Sequence, residues 1–372
     1  FIVPKFLVDD EGNPTERNGV SLAGLIHKLG YRGTTSTALS FGDDAPCHGY
    51  LVGEPHQGLK YMFQMMNEAR VGVGFGAAVI GYRGYMHSLE YAKDRLQGRK
   101  ASEKNPESPQ VPIIDHADVR RMLLAQKAYS EGGLALCLYG ARLMDDQHTH
   151  PDEQKRHEAG KLLDLLTPVI KAWPSEYGPK ANDLAIQVYG GAGYTREYPV
   201  EQCWRDNRLN PIHEGTNGIQ ALDLLGRKIW QDQSHGLQLL MQEMQVDLQA
   251  ATTDRCQQWA LSLSETLQQA VKVTQSLGKS LMEGDPDKTL ANASCYLHLF
   301  GHIIVAWMWL RQANAAAHAL GSANTDDERN FYQGKLQAAQ YFFHWELPTV
   351  AQDLVLLRNQ DDTCLNMKPE WF

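Results

Sequence analysis

Glu214 is the side chain best placed for chemistry. It stands in Pro211-Ile212-His213-Glu214-Gly215-Thr216-Asn217-Gly218-Ile219-Gln220, a tight turn at the mouth of a helix. Beyond it Ile219, Leu222, Leu225 and Ile229 recur at helical spacing, and Thr216 is the natural N-cap. Glu214 therefore sits on the loop side of a helix start. A carboxylate held there can act as a general base if its surroundings are apolar enough to tune its pKa. It can equally be a charge favoured by the helix dipole. The local pattern supports both readings.

Three further groups could serve a ligand. Gln187-Val188-Tyr189-Gly190-Gly191-Ala192-Gly193-Tyr194 is dense in glycine, and such a loop brings backbone N–H groups close to a phosphate. NDLAIQVY before it reads as helix, so it is not a Rossmann fingerprint, and a glycine-capped helix end explains it as well. Arg70 falls among Met65, Met66, Val71 and Val73, where a charge wants a partner or a ligand unless it snorkels. Arg95, in AKDRLQGRK, closes the same helix, where a cation suits the dipole.

The elements that must position these residues change along the chain. Residues 1 to about 55 read as β: FIVPKFLV, GVSLAGLI and TALSFG are separated by the turns DDEGNP, KLGYRG and FGDDAP. From about 57 the pattern Leu59, Met62, Phe63, Met66, Arg70 begins a helix that carries glycines at 72, 74, 76, 81 and 84. These cost helix stability and fit a close approach by another helix or a ligand. KASEKNPESPQ and DDQHTHPDEQ are polar loops around a helix over VRRMLLAQKAYSEGGLALCLYGARLM. HEAGKLLDLLTPVIKAWPSE and NDLAIQVYGGAGY follow, without strand signal, so a helical bundle is expected. After about 230 come four long amphipathic stretches, from GLQLLMQEMQVDLQ to DERNFYQGKLQAAQYFFHWELPTVAQDLVLL. Trp307, Trp309, Phe342 and Phe343 read there as core.

The chain is 372 residues long with net charge −9 and a pI near 5.9, which argues against a nucleic-acid or anionic-membrane surface. No apolar run reads as a membrane span of about 20 residues. The six cysteines are scattered, with no Cys-x-x-Cys pair, as in a reducing compartment, and a cytoplasmic location is expected. His148 and His150 lie in a polar loop. His298 and His302 are spaced i,i+4 but lack a nearby carboxylate in sequence, so no metal site is expected. The start, FIVPKFLVDDEG, reads as a strand entered midway.

The combination resembles the acyl-CoA dehydrogenases. IHEGTNGIQ, QVYGGAGYTREYPVEQCWRD, NEARVGVGFGAAVIG, the AKDRLQGR helix end and the β segment HKLGYRGTTSTALSFGDDAPCHGYLVGEPHQGL occur in that family's order, over residues 1 to about 230. Residues 231 to 372, above all Ala291 to Ala315, resemble the extra helical domain of large bacterial members such as the 3-methylmercaptopropionyl-CoA dehydrogenases. The resemblance implies a mainly α fold with three parts. Residues 1–55 would be a partial middle β domain, 56–230 a four-helix bundle and 231–372 an additional helical bundle docked on it. It also implies that the chain is a carboxy-terminal piece, with little FAD binding or activity of its own.

Carried over by position, Glu214 matches the family's catalytic base. The alternative base position, one residue before the Arg, is Ala69 here. Asn67 and Arg70 match positions facing the acyl-CoA, and Gly215 belongs to the substrate side of the turn. Arg95 and Gln97 match an FAD-contacting helix end, although Gly98-Arg99 replaces the usual aromatic-Gly. Gln187, Gly190 and Gly191 match a loop reaching the FAD of a neighbouring subunit, and Thr216 matches an FAD contact. The Gln usual two residues after that Thr is Gly218. The implied reaction is removal of the α-proton by Glu214 and transfer of the β-hydrogen to flavin, giving a trans-2-enoyl-CoA. The implied partners are an electron-transfer flavoprotein and further copies of the chain, as a homodimer or homotetramer. A family relative that binds DNA, or serves assembly alone, is the alternative. The acidic balance argues against the DNA-binding form.

Overall fold

The computed structural model describes residues 1–372 apart from the side chains of residues 63 and 64, so Phe63 of the pattern above lies outside the described residues. The chain divides into two compact units, Phe1–Glu68 and Ala69–Phe372.

The first unit holds two antiparallel hairpins, β1 (Phe6–Val8) with β2 (Pro14–Arg17), and β3 (Val20–Leu25) with β4 (Thr37–Phe41). The strand expected through FIVPKFLV is only the short β1. An unexpected strand, β2, follows the Asp9 turn. Asp9 Oδ1 accepts from the backbone N–H of Glu11 at 3.1 Å and of Asn13 at 2.8 Å, which folds the chain back and lets Pro14–Arg17 pair. Asn18, 2% exposed, ties the unit together. Its amide donates to the carbonyls of Pro4 and His48, and its Oδ1 accepts from the His48 N–H.

The helix α1 (Gly58–Asp94) runs across the division, and the second unit continues with α2 (Ala117–Thr149) and α3 (Glu153–Tyr189). The polar stretch DDQHTHPDEQ is mostly helix. α2 extends to Thr149, and the break is confined to His150–Asp152, where the Asp152 carboxylate caps α3 by accepting from the Gln154 N–H at 2.8 Å. α3 is one helix despite Pro168, Pro174 and Pro179, where two segments were expected. Pro174 cannot donate to the carbonyl of Ile170, four residues back. The backbone of Gly74 lies against that carbonyl: a Cβ at Gly74 would stand 2.0 Å from it. Gly81 packs against Gly178 and Gly84 against Asn182 in the same way. Gly72 and Gly76 meet nothing within 4 Å. The glycines thus separate into a helix-packing set and an open pair.

After α4 (Val200–Asn207) and α5 (Asn217–Gly226), the chain enters α6 (Gln231–Gln249), α7 (Asp254–Met282), α8 (Pro286–Leu290), α9 (Ala293–Leu320), α10 (Asp326–Tyr341) and α11 (Ala351–Asn359). Asp232, Gln233 and Ser234 take left-handed backbone angles, so regular helix in α6 begins after them. The final stretch, read as one helix, is broken between α10 and α11 by a π turn over Phe342–Glu346 and a 3-10 turn over Leu347–Val350. Pro348 accounts for the break, since it has no N–H for the carbonyl of His344.

Among the described residues α9 alone is long and apolar enough to cross a membrane, which corrects the expectation that no apolar run approaches that length. It is a core helix here. Trp307 and Trp309 are fully buried on it, and its contacts reach α2, α3, α5, α6, α7, α10 and α11. Gly132 of α2 leaves room for the Trp309 ring, and Gly301 of α9 for the Trp173 ring of α3. The middle and terminal helices therefore share one continuous core, which contains Trp307, Trp309, Phe342 and Phe343 as expected.

Candidate active site

The turn carrying Glu214 is left-handed at two successive residues, Glu214 with φ +56° and Gly215 with φ +83°. Glycine tolerates this freely, whereas glutamate does so at a conformational cost of about 1 kcal/mol or more. The surrounding residues hold the turn in place. Gln220, fully buried on α5, reaches back so that its Nε2 donates to the carbonyls of Glu214 and Gly215, each at 3.3 Å. Thr216 caps α5 as expected: its hydroxyl accepts from the Ile219 N–H at 3.3 Å. Asn217 is fixed on the other side. Its N–H donates to the Pro211 carbonyl at 3.1 Å, and its Oδ1 accepts from Lys171 Nζ at 3.2 Å. The Glu214 side chain itself is exposed. Thr216→Ala should remove the cap and cost about 1 kcal/mol of stability. Urea unfolding of the chain measures this, and an unchanged midpoint would contradict the cap.

Arg70, 7% exposed, has its partner on α5: Nη1 pairs with Asp223 Oδ2 at 3.1 Å. Asp223 also pairs with Arg227 at 2.7 Å. The Nε of Arg70 is buried with no hydrogen-bond partner among the described residues. Lys171 on α3 is fully buried. Burial, and secondarily the Arg70 charge, bring its pKa down to about 8, while Glu214 pulls it upward. Arg70, Lys171 and Glu214 thus form one electrostatic group. Asn67 lies three residues before Arg70 on α1, half-buried in the first unit.

The residues matched to cofactor contacts lie elsewhere. Arg95 follows the end of α1, exposed, with its carbonyl accepting from the Ile113 N–H at 2.8 Å. Gln97 pairs by backbone with Val111, and its carbonyl lies 2.8 Å from His116 Nε2. Gln187, Gly190 and Gly191 are exposed at the end of α3. Gly190 has φ +60°, and neither glycine has an atom within 4 Å of a notional Cβ, so their backbone is open to a ligand. Tyr91 stacks on Tyr189 with ring centroids 4.1 Å apart, setting the ends of α1 and α3 side by side. Arg70 and Asp94 are 24 residues apart on one helix, roughly 36 Å at 1.5 Å per residue. One chain therefore gathers Arg95, Gln97, Gln187, Gly190 and Gly191 at one end of the bundle, and Glu214, Gly215, Thr216 and Arg70 well away from them.

Four contributors escaped the sequence reading. Gln220 and Asn217 lie inside the quoted motif, and Asp223 is 153 positions from Arg70. Lys171 carried a signal: it is a lone cation in the apolar run TPVIKAW, of the same kind that marked Arg70. The His298 reading is corrected, because a carboxylate partner arrives from α11. His298 Nδ1 lies 2.5 Å from Asp353 Oδ2, and its Nε2 lies 2.8 Å from the Tyr177 hydroxyl. No group of three metal-ligating side chains forms among the described residues.

The chain is similar to known proteins in sequence and in fold. Residues 56–229 match the family model described as acyl-CoA dehydrogenase, C-terminal domain, and residues 240–368 match acetyl-CoA dehydrogenase C-terminal like. The chain is 35% identical to the broad-specificity linear acyl-CoA dehydrogenase FadE5 of Mycobacterium tuberculosis, across 100% of this chain and 62% of that protein. It is 34% identical to the 3-methylmercaptopropionyl-CoA dehydrogenase of Ruegeria pomeroyi, across 92% of this chain and 57% of that one. The chain thus spans about three-fifths of the length of these relatives. In fold it is similar to Caenorhabditis elegans ACDH-11, solved in complex with C11-CoA, with a TM-score of 0.73 at 17% identity over 91% of this chain and 55% of that one. It is also similar to an acyl-CoA dehydrogenase from Bacillus anthracis complexed with FAD, with a TM-score of 0.70 at 20% identity over 91% and 57%. From its own motifs, its helical frame and both matched segments, the chain belongs to the acyl-CoA dehydrogenase family.

Proposed function

We propose that the whole protein oxidises an acyl-CoA thioester at Cα–Cβ to the trans-2-enoyl-CoA, with Glu214 as the base that takes the α-proton. The observation that carries this reading is the doubly left-handed Glu214–Gly215 turn, clamped by Gln220 and set beside Arg70 and Lys171. A strained backbone kept by several surrounding contacts is a mark of a functional position. Ala69 at the alternative base position leaves Glu214 as the carboxylate for this step. The buried, unpaired Nε of Arg70 and the open flank of Gly72 and Gly76 are consistent with a substrate beside α1.

The chain's own residues fit FAD where a phosphate-bearing group needs them: an exposed Arg95 and an open, glycine-lined backbone at Gly190–Gly191. FAD, when bound, would supply the acceptor for the β-hydrogen and its electron pair. Glu214 accepts the α-proton, and the electron pair of the broken Cα–H bond becomes the new double bond. Thr216 and Asn217 hold the turn while Glu214 changes charge. The separation of the Gly190 loop from Glu214 favours a loop that serves the FAD of a neighbouring copy, hence a homodimer or homotetramer. An electron-transfer flavoprotein is the proposed acceptor, on the family resemblance alone.

The test is to titrate the FAD-loaded whole protein with saturated acyl-CoAs of graded chain length and follow the visible flavin absorbance. Bleaching by at least one chain length, with enoyl-CoA formed in equal amount, is expected. Unchanged absorbance across the whole series would refute the reading.

A further inference from the structure

Lys171 has no carboxylate hydrogen-bonded to it among the described residues. It is 0% exposed on α3, and its one hydrogen bond goes to the neutral Oδ1 of Asn217 at 3.2 Å. A buried ammonium without a paired anion is costly, and a helix facing a packed core would more cheaply hold Leu or Met there. The charged groups whose fields reach it are Arg70 from α1, which is repulsive, and Glu214 from the turn, which is attractive. Arg70 is already committed to Asp223, which is shared with Arg227. Glu176, one turn further along α3, lies 3.5 Å from the Asn217 amide and pairs with Lys180 at 3.1 Å. Glu214 is thus the acidic group acting on Lys171, and among the described residues it is in no ion pair with another cation.

We propose that Lys171 is a positioning residue for the Glu214 turn: its buried ammonium grips Asn217 from behind, and its charge and that of the Glu214 carboxylate act on one another through the turn. The role rests on the reading of Glu214 as the base. It gives a physical reason for burying a cation in the apolar run TPVIKAW. Asn217 converts the position of α3 into the position of the turn. The lowered pKa of Lys171 agrees with a site whose charge is held at a desolvation cost and partly relieved by Glu214.

The test reads the charge coupling directly, without catalysis. In the 372-residue chain, selective labelling of lysine and glutamate side chains lets NMR follow both groups with pH. Glu214→Gln should lower the Lys171 pKa further, and Lys171→Met should raise the Glu214 pKa by a comparable amount, since a pairwise interaction is reciprocal. Lys171→Arg should restore the Glu214 value. In the FAD-loaded whole protein, Lys171→Met should move the acidic limb of the kcat/KM profile to higher pH, by about tenfold in rate for each unit at pH values below it. Lys171→Arg should move it back.

Independent titrations, with each pKa indifferent to the other substitution, would overturn the proposal. If Lys171→Met does not fold, the Glu214→Gln arm reads the same coupling with Lys171 in place. The coupling present alongside an active Glu214→Gln enzyme would keep the Lys171–Glu214 pair and refute the base. No coupling alongside an inactive Glu214→Gln enzyme would keep the base and refute Lys171.

Discussion

Glu214→Gln should lower the rate of flavin bleaching by roughly 100-fold or more at saturating acyl-CoA, the scale of general-base catalysis. Glutamine keeps the size and hydrogen-bonding reach of glutamate but has no basic oxygen. The turn should survive, because the bonds that shape it come from Gln220, Thr216 and Asn217, and they end on backbone groups or on Lys171. None uses the Glu214 carboxylate. The loss should therefore appear in the rate at saturation, with substrate affinity changed little, which is the signature of an interaction made only in the transition state. Stopped-flow bleaching with a substrate from the graded series separates the two. A variant that bleaches near the wild-type rate would remove Glu214 from the mechanism.

Trp309→Ala should cost about 3–5 kcal/mol of stability, the range for truncating a fully buried tryptophan. Trp309 is 0% exposed, and its Nε1 donates to the Ala128 carbonyl on α2 at 3.1 Å. The ring occupies the space that Gly132 leaves open, with Lys335 Nζ 5.7 Å from its centroid. The substitution therefore removes apolar area and a hydrogen bond at the seam between the middle and terminal helices. Deleting residues 231–372 is the same experiment at full scale. It should expose Trp173, Tyr177 and the α2 face, and lead to loss of solubility or folding before any specific loss of chemistry. Urea unfolding of the 372-residue chain measures the point variant. A change below about 1 kcal/mol, or a soluble and well-folded truncated whole protein lacking only its catalytic step, would show that the terminal helices do not stabilise the bundle as the shared core implies.

Helical period made the long helices legible. Leu59 to Arg70 started α1 at the right place, and Thr216 announced the cap of α5 because its hydroxyl acts on a backbone N–H only three residues away. What depended on distant partners was not legible. The ion pair of Arg70 with Asp223, the arrival of Asp353 at His298 and the approach of Gly74 to the Ile170 carbonyl that Pro174 leaves free all depend on groups supplied by another helix. Asp9 shows the local counterpart: a side chain that folds a turn can start a strand, so DDEGNP led into β2. The motif around Glu214 pointed to the proposed base, but not to the clamp on it. Gln220 reads as an ordinary helix residue until its amide is seen on the carbonyls of Glu214 and Gly215.

The most direct test of the central claim isolates the first bond to break. The FAD-loaded whole protein is incubated in D2O with an acyl-CoA whose β-carbon carries no hydrogen, so that dehydrogenation cannot complete, and deuterium at the α-carbon is followed by mass spectrometry. The wild-type protein should incorporate deuterium far faster than free solution, and Glu214→Gln should fall toward the uncatalysed rate. Equal incorporation by both would show that another group takes the α-proton, and would contradict the assignment of Glu214.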